Sequence, residues 1–532
     1  MQMTTHVIQS PLIHADRLII ATNRGPVEYY LSHDKILKHR RGAGGMVTAL
    51  IDAGNRMEVT WVAMVMTEGD RVALKEAQQL NEGLLQSPLR DQKMQLRYVA
   101  IPKTAYSKHY EVVSNQLLWF LQHYLYNPTE DSAMTQRIQD AWTKGYRVAN
   151  QEIAEAVCTE LENKDSSAVV MLHDYHLYLA PAMIRACYPS IVMQHFIHIP
   201  WPDIRCWHFL PSNITQDIYH GLVGNDIIGF QTERDAHNFL EGARTLLDGA
   251  LVDFEDGTIL WQGRRIIVRA YPISISVTGE RRVVQSAAGK RAAERIRRLL
   301  SKKTIMRVDR IDPTKNIVRG FQAYAQVLDE HPELLGKVTF LAFLVPSRQA
   351  LPIYQRYNAD VLKIIEEINQ KYGTDEWTPI HSFFENDRTQ ALAAMQFYDV
   401  LLVNPIIDGM NLVAKEGSVV NQCNGVLVLS RTAGAFPQLG KASIPTSPTD
   451  IAETTQALYK ALMLSAEERS AMAKLARQIV ENRDLNVWLT RQIRDINEVI
   501  DSSSDSESDS KSDSDSSDDS NGIVLPFTAS VR

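Results

Sequence analysis

Residues 168–176 read Ala168-Val169-Val170-Met171-Leu172-His173-Asp174-Tyr175-His176. An unbroken apolar run stops abruptly at four residues that carry polar groups. A run of this length is short for a helix and suits a strand buried on both faces, as in a parallel sheet covered by helices. Open parallel sheets bind their ligands beyond the carboxyl ends of the strands. The polar quartet stands at such an end, so it is expected to face a ligand.

Comparable runs lie on either side of this one, at residues 18–21, 61–66, 191–199, 226–230 and 265–275. Stretches with helical spacing, such as 142–158 and 214–222, fall between them. A charged stretch at 278–299 follows, and then a second set of runs at 304–308, 338–345, 400–404 and 425–429. Two rounds of strand–helix alternation predict an α/β protein with two doubly wound, Rossmann-like domains facing each other across a cleft. The expected division is a first domain at 1–277, a second at 278–480, a C-terminal helix at 481–500 packing back across both, and a tail at 501–532.

The 532 residues are 45% apolar and 22% charged, an ordinary globular balance that leaves room for two cores. The net charge of −7 resides in the tail: seven Asp, one Glu and one Lys alternate with Ser between Asp501 and Ser520. With no apolar residue there, the segment cannot offset its ordering entropy and is expected to be disordered. The rest is nearly neutral and has no evident basic stripe, so neither nucleic acid nor an anionic membrane surface is an expected partner. Four scattered cysteines without a CxxC form no disulfide framework or zinc site, which suits a reducing cytoplasm. The amino terminus has no signal-peptide pattern, and no apolar run is long enough to span a bilayer.

Four motifs carry polar groups to the ends of these runs. Asn23-Arg24 follows the first, and Arg40-Arg41-Gly42-Ala43-Gly44-Gly45 precedes an apolar stretch at 46–53. Glycines at a helix start let N–H groups approach a phosphate, although this spacing is neither GxGxxG nor a P-loop and also suits a plain turn. His198 closes the run at 191–199 and joins the 173–176 quartet; nothing fixes a full metal-ligand set, and core hydrogen bonding is the simpler role for such histidines. In the second half, Arg310 and Lys315 flank Pro313, a residue suited to a first helical turn, and Arg348 follows the run at 338–345. Two cations beside a helix start suit a diphosphate, or each makes a surface ion pair. Finally, Asp408-Gly409-Met410-Asn411-Leu412-Val413-Ala414-Lys415-Glu416 follows the run at 400–404. Asp408 there is either a helix cap or a hydroxyl ligand, and spacing alone leaves both readings open.

Taken together and in order, Asn23-Arg24, Gly44-Gly45, 173–176, His198-Ile199-Pro200, Gly229-Phe230-Gln231-Thr232, Pro346-Ser347-Arg348 and 408–416 resemble the trehalose-6-phosphate synthase family of retaining glycosyltransferases, over residues 18–495. The resemblance implies the GT-B fold and a set of roles. Arg310 and Lys315 would hold the donor diphosphate, with Gly409, Met410, Asn411 and Leu412 close by and Gly44 and Gly45 approaching from the first domain. Asp408 would contact the donor glucose and Glu416 the ribose. Arg24 and Arg348 would hold an acceptor phosphate beside Tyr110 and Trp119, with Asp174 and His198 at the transfer point. It implies no metal and no cofactor.

The chain departs from the family's usual pattern at Arg310-Ile311-Asp312-Pro313-Thr314-Lys315-Asn316, at His198-Ile199-Pro200-Trp201-Pro202, and at a third place that bears on the acceptor. The family usually has Trp-Val-Gly-Trp where this chain has Trp61-Val62-Ala63-Met64, so Met64 stands where an aromatic is expected on the acceptor wall. That pattern resembles the glucosylglycerol-phosphate synthase branch, which implies ADP-glucose as donor, sn-glycerol 3-phosphate as acceptor and a product on the way to an osmoprotectant. Trehalose-6-phosphate synthesis, or a catalytically silent regulatory relative, is the alternative.

Overall fold

The computed structural model describes residues 12–42, 57–80, 83–89, 94–127, 136–162 and 166–512. The strands are β1 Arg17–Thr22, β2 Val27–Leu31, β3 Leu37–Arg41, β4 Glu58–Met64, β5 Leu84–Gln86, β6 Met94–Val99, β7 Ala168–His173, β8 Val192–Phe196 and β9 Ile227–Phe230. They continue as β10 Leu251–Asp253, β11 Thr258–Trp261, β12 Arg264–Ala270, β13 Lys303–Ile311, β14 Val338–Pro346, β15 Ile380–Phe383, β16 Val400–Val403, β17 Val426–Ser430 and β18 Ser443–Thr446. All ten apolar runs read from the sequence are strands.

The first sheet has the order β10-β11-β12-β9-β8-β7-β1-β4-β6-β5, and the second β15-β14-β13-β16-β17-β18. Within the first, β6-β4-β1-β7-β8-β9 is parallel throughout, as is the whole second sheet. In each sheet the chain lays down three strands in one direction, returns to the centre and continues in the other. The reversal opens a crevice between β1 and β7 in one sheet and between β13 and β16 in the other. These four strands precede Asn23-Arg24, the 173–176 quartet, the segment from Arg310 to Lys315, and Asp408.

Four short strands at the first sheet's edges (β5, β6, β10, β11), the separate β2–β3 hairpin, and β15 and β18 in the second sheet have no counterpart among the sequence-read runs. Between the sheets, helices Val277–Gln285 and Ala287–Arg297 pack on helices Leu412–Val420 and Arg388–Ala394 of the second half. One apolar cluster runs from Leu18 and Ile20 through Trp488 and Ile493 to Leu401 and Leu427, so the two sheets share a continuous core.

The C-terminal helix returns to the first sheet. Gln194 Nε2 on β8 donates to Gln492 Oε1 at 3.0 Å, and Trp488 meets Phe196 edge-on at 5.3 Å. This helix spans Leu485–Ser512, twelve residues beyond the expected end at Ile500. Extending a formed helix needs no new nucleus, so even poor helix formers such as Ser and Asp can continue it for a few turns. The remainder of the expected disordered tail lies outside the described residues. Among the described residues, no helix is long and apolar enough to cross a membrane.

Candidate active site

The two crevices face each other and enclose a cavity of about 410 Å³. On the first-domain side, β1 delivers Thr22, Asn23 and Arg24. The Trp61 indole donates to Thr22 Oγ1 at 2.8 Å, and that hydroxyl donates to the Arg24 carbonyl at 2.7 Å, which fixes the turn. Asn23 is buried, with His109 Nε2 at 3.2 Å from its Oδ1. Arg24 is exposed to the cavity and makes no ion pair with any described residue.

Strand β7 ends in His173, and the next residue, Asp174, has φ of +72°. Its N–H donates to the Phe196 carbonyl at 2.8 Å, while His195 Nε2 lies 3.0 Å from its own carbonyl. The left-handed turn aims the carboxyl into the cavity, where Oδ1 is buried without a partner. Burial pushes Asp174 up to about 6, against the pull of nearby hydrogen bonds and of Arg348 and Arg310. His198 Nε2 is 3.3 Å from His173 Nδ1. Burial holds both rings well below the ordinary imidazole value, His198 at about 3, so both are neutral near pH 7.

From the second domain, β13 delivers Arg310 and then a 3₁₀ turn, Pro313–Lys315, capped by Asp312, which accepts from Thr314 N at 3.0 Å. Lys315 Nζ pairs with Asp408 Oδ2, and Asn411 Nδ2 donates to the same oxygen at 3.0 Å. Burial opposes the charge on Asp408, but Lys315 prevails and holds the carboxyl below its ordinary value. Asp408 is therefore not a helix cap: helix Leu412–Val420 begins four residues later, after Asn411 at φ of +71°. Between them, Gly409 touches the first domain so closely that a Cβ there would lie 2.2 Å from the His198 carbonyl oxygen.

Arg348 crosses the cleft. Its Nη1 donates to Asp312 Oδ2 at 3.0 Å, its Nη2 to the Tyr175 hydroxyl at 3.2 Å, and its guanidinium lies 3.9 Å from the Trp119 ring centre. Arg310 lies 5.3 Å from the same ring, which also meets His123 at 4.0 Å and Tyr175 at 5.8 Å. Tyr110 stacks between Tyr106 at 5.5 Å and His176 at 5.8 Å. Arg24, Tyr110, Trp119, Asp174, His198, Arg310, Arg348 and Asp408 thus share one cavity, with Lys315 directly behind Asp408.

Three expectations fare differently. Met64 does not line the cavity: it is 1% exposed and packs with Ile19, Val62, Ala149 and Ile153 on the helix-covered face of the sheet. Alternation along β4 turns Met64 inward, and the methionine at the wall is Met66, two residues on. Glu416 is also outside the cavity lining, 3.3 Å from Arg388 Nη2, which it shares with Glu280. Burial pushes Glu416 up to about 7 despite Arg388. Gly44 and Gly45 lie outside the described residues. Sequence reading missed His123, Met66 and Asp312; for His123 the signal was there, since a residue four after Trp119 shares its helix face. Among the described residues, no group of three or more His, Cys, Asp or Glu converges as a metal site.

Comparison with known proteins gives the same architecture. The chain is 31% identical over 486 residues to the bifunctional trehalose-6-phosphate synthase/phosphatase of Thermoproteus tenax, covering 89% of this chain but only 62% of that protein. It is 31% identical to the UDP-forming alpha,alpha-trehalose-phosphate synthase of Schizosaccharomyces pombe, covering 86% and 85%. Among solved structures, the E. coli trehalose-6-phosphate protein bound with UDP-2-fluoro glucose superposes with a TM-score of 0.77 at 25% identity, over 90% of this chain and 99% of that one. The Burkholderia multivorans alpha,alpha-trehalose 6-phosphate synthase gives 0.78 at 26%, over 93% and 99%. The fold is therefore GT-B. The family model for glycosyltransferase family 20 matches residues 16–498, from the strand that opens the first sheet to the helix that closes over it, and on that span the chain belongs to this family of retaining glycosyltransferases.

Proposed function

We propose that the protein transfers glucose, with retention, from a nucleoside diphosphate glucose to glucose 6-phosphate, forming trehalose 6-phosphate. The observation that carries this reading is the convergence of Arg24, Arg310 and Arg348 with Asp174 in one cavity formed by both domains. Two anionic substrates need cations from both sides, and a carboxyl between them suits a sugar hydroxyl. The names of the relatives support the hexose phosphate acceptor and a UDP-linked donor. The glycerol 3-phosphate reading placed Met64 on the acceptor wall, and Met64 is in the core. Lys315 and Asp408 also argue against a silent relative, since both charged groups are kept and paired beside the cavity.

In this reading the leaving diphosphate gains negative charge as the glycosidic bond breaks, and the transition state has oxocarbenium character on glucose. Lys315, Arg310 and the N–H groups opening helix Leu412–Val420 stabilise the leaving group as preorganised donors. Asp408 orients the donor glucose. Asp174 accepts from an acceptor hydroxyl, and neutral His198 offers a hydrogen bond at the transfer point. In this reading the cavity carboxylates Asp174 and Asp408 bind hydroxyls and neither acts as a glycosidase-type nucleophile; the acceptor attacks from the face the phosphate leaves, and the departing phosphate oxygen takes its proton.

The test is product analysis with UDP-glucose or ADP-glucose as donor and glucose 6-phosphate or glycerol 3-phosphate as acceptor. The expected result is an α-linked disaccharide phosphate, with kcat/KM for glucose 6-phosphate above that for glycerol 3-phosphate. The reverse ratio would move the chain to the glucosylglycerol-phosphate branch. No nucleoside diphosphate released with any pair would make it a silent relative.

A further inference from the structure

The loop from Asp174 to Ala180 has no regular secondary structure for most of its length, yet it carries the cavity-facing Asp174, Tyr175 and His176 and starts with a left-handed non-glycine residue. Such a turn persists only where its surroundings over-determine it. Phe196 and His195 hold Asp174 itself, and two fully buried side chains from outside the cavity pin the residues that follow it. Asn150 Nδ2 donates to the carbonyls of Tyr146 at 2.9 Å and His176 at 3.1 Å, and its Oδ1 accepts from Leu179 N and Ala180 N, both at 3.0 Å. All four hydrogen-bonding positions of the amide are used. The Tyr146 hydroxyl donates to the Tyr175 carbonyl at 2.6 Å and accepts from Tyr178 N at 3.2 Å. Between them, the two side chains hold the main chain on both sides of His176 and at the start of helix Ala180–Cys187.

The backbone that presents them is itself unusual. Tyr146 ends a π-helical turn, Trp142–Tyr146, that leads into helix Arg147–Glu162. The turn packs against a second π-helical segment, Lys108–Leu118, through Gly145, where a Cβ would lie 2.5 Å from the Lys108 side chain. That second segment carries Tyr110, and Trp119 follows it directly. Wide helical turns of this kind recur at functional sites because they displace a side chain from the regular helical register. Here the displaced register brings Tyr146 under the loop while its ring stacks on Trp142 at 4.7 Å.

We infer that Asn150 and Tyr146 are positioning residues for glucosyl transfer: they touch no substrate and set the acceptor-side carboxyl of Asp174 relative to the donor machinery of the other domain. This rests on the function proposed above. Both lie on the acceptor side, and the Lys315–Asp408 pair is independent of them. Their loss should therefore slow transfer and leave donor binding alone.

The experiment compares wild type, Tyr146→Phe and Asn150→Ala for kcat, for KM of the nucleotide sugar, and for amide hydrogen exchange at residues 174–180. The expected result is a fall in kcat of ~10–100-fold, a donor KM within about twofold of wild type and faster exchange at 174–180. Tyr146→Phe keeps the ring and removes only the hydroxyl, so it decides the matter if Asn150→Ala fails to fold. Wild-type kcat in Tyr146→Phe, or a donor KM that rises in step with the loss of kcat, would overturn the inference. Wild type that transfers no glucose to any acceptor would instead refute the proposed function; unchanged exchange at 174–180 would still overturn the positioning role.

Discussion

Gly409→Ala is the most demanding test of the inter-domain geometry. The added methyl would sit 2.2 Å from the His198 carbonyl oxygen and 3.1 Å from Ile199 Cα, both backbone atoms that no rotamer change can move. The loop cannot retreat into its own domain either. Behind it, Gly434 N donates to the Asp408 carbonyl at 2.9 Å, and Gly434 lies so close that a Cβ on it would be 1.7 Å from the Gly409 oxygen. Relief requires the two domains to part by about 1 Å at the point where Gly409 meets His198. A misplacement of that size commonly costs ~10²-fold in rate, and overpacking of this kind typically costs ~1–3 kcal/mol of stability. The assay is initial-rate kinetics with saturating donor and acceptor, paired with a thermal melt. We expect kcat to fall by about two orders of magnitude while the chain still melts cooperatively. A variant within threefold of wild-type kcat would show that this contact does not set the catalytic distance.

Lys315→Met should lower turnover by ~10²–10³-fold and leave the buried Asp408 unpaired, which steady-state kinetics and the variant's lowered melting temperature would both report. Asp174 predicts a pH signature in stability. Its value rises from 3.8 to about 6 on folding, so the protonated form stabilises the fold, and that contribution is lost as pH climbs from about 4 through about 6. The melting temperature of Asp174→Asn should therefore gain on wild type across this window, and a constant difference between the two would refute the buried-carboxyl assignment. A chain ending at Ile500 should keep its melting temperature and turnover, because the ion pair of Asp501 with His14 Nδ1, at 2.9 Å, is largely exposed and worth little; a clear drop in either would show that later residues matter to the fold.

The parallel strands were legible because burial on both faces leaves little choice of residue: 168–172 is apolar throughout, 338–345 is apolar but for Thr339, and both stop at polar ends. The cavity residues were legible for the same reason, since a polar group at such an end has nowhere to go but the crevice. The short edge strands were not. Residues 94–99 alternate buried and half-buried, and 258–261 bury two residues of four, so neither gives a continuous apolar signal. Side-chain direction was harder still. Met64 and Met66 have the same chemistry and sit two residues apart, and only the end of β4 decides which faces the core. Glu416 falls two turns after Asp408 as expected, but its partner Arg388 comes from a different helix, which no local spacing reveals. The π-helical turns left no signature in the sequence, because residues 108–118 and 142–146 suit an ordinary helix equally well.

The return of the last helix to the first sheet sets a timetable for synthesis. Gln492 bonds Gln194 across 298 residues, and Asn497 Oδ1 accepts from the His14 N–H across 483. A ribosome finishes the last strand of the first sheet at Ala270, yet the helix that covers Phe196 and ties down residues 12–14 does not begin until Leu485. At ~5–20 residues per second, the intervening chain takes roughly 10–40 s to make. Throughout that interval the first domain carries an uncovered apolar strip, while the second domain, whose strands end at Thr446, has the two helices that pack on its sheet, Ile451–Met463 and Ala466–Glu481, complete before Leu485. A message truncated just before Leu485 would thus yield a second domain with its sheet complete and a first domain that is not, and such a product would depend on chaperones for its solubility even though both sheets are encoded in full.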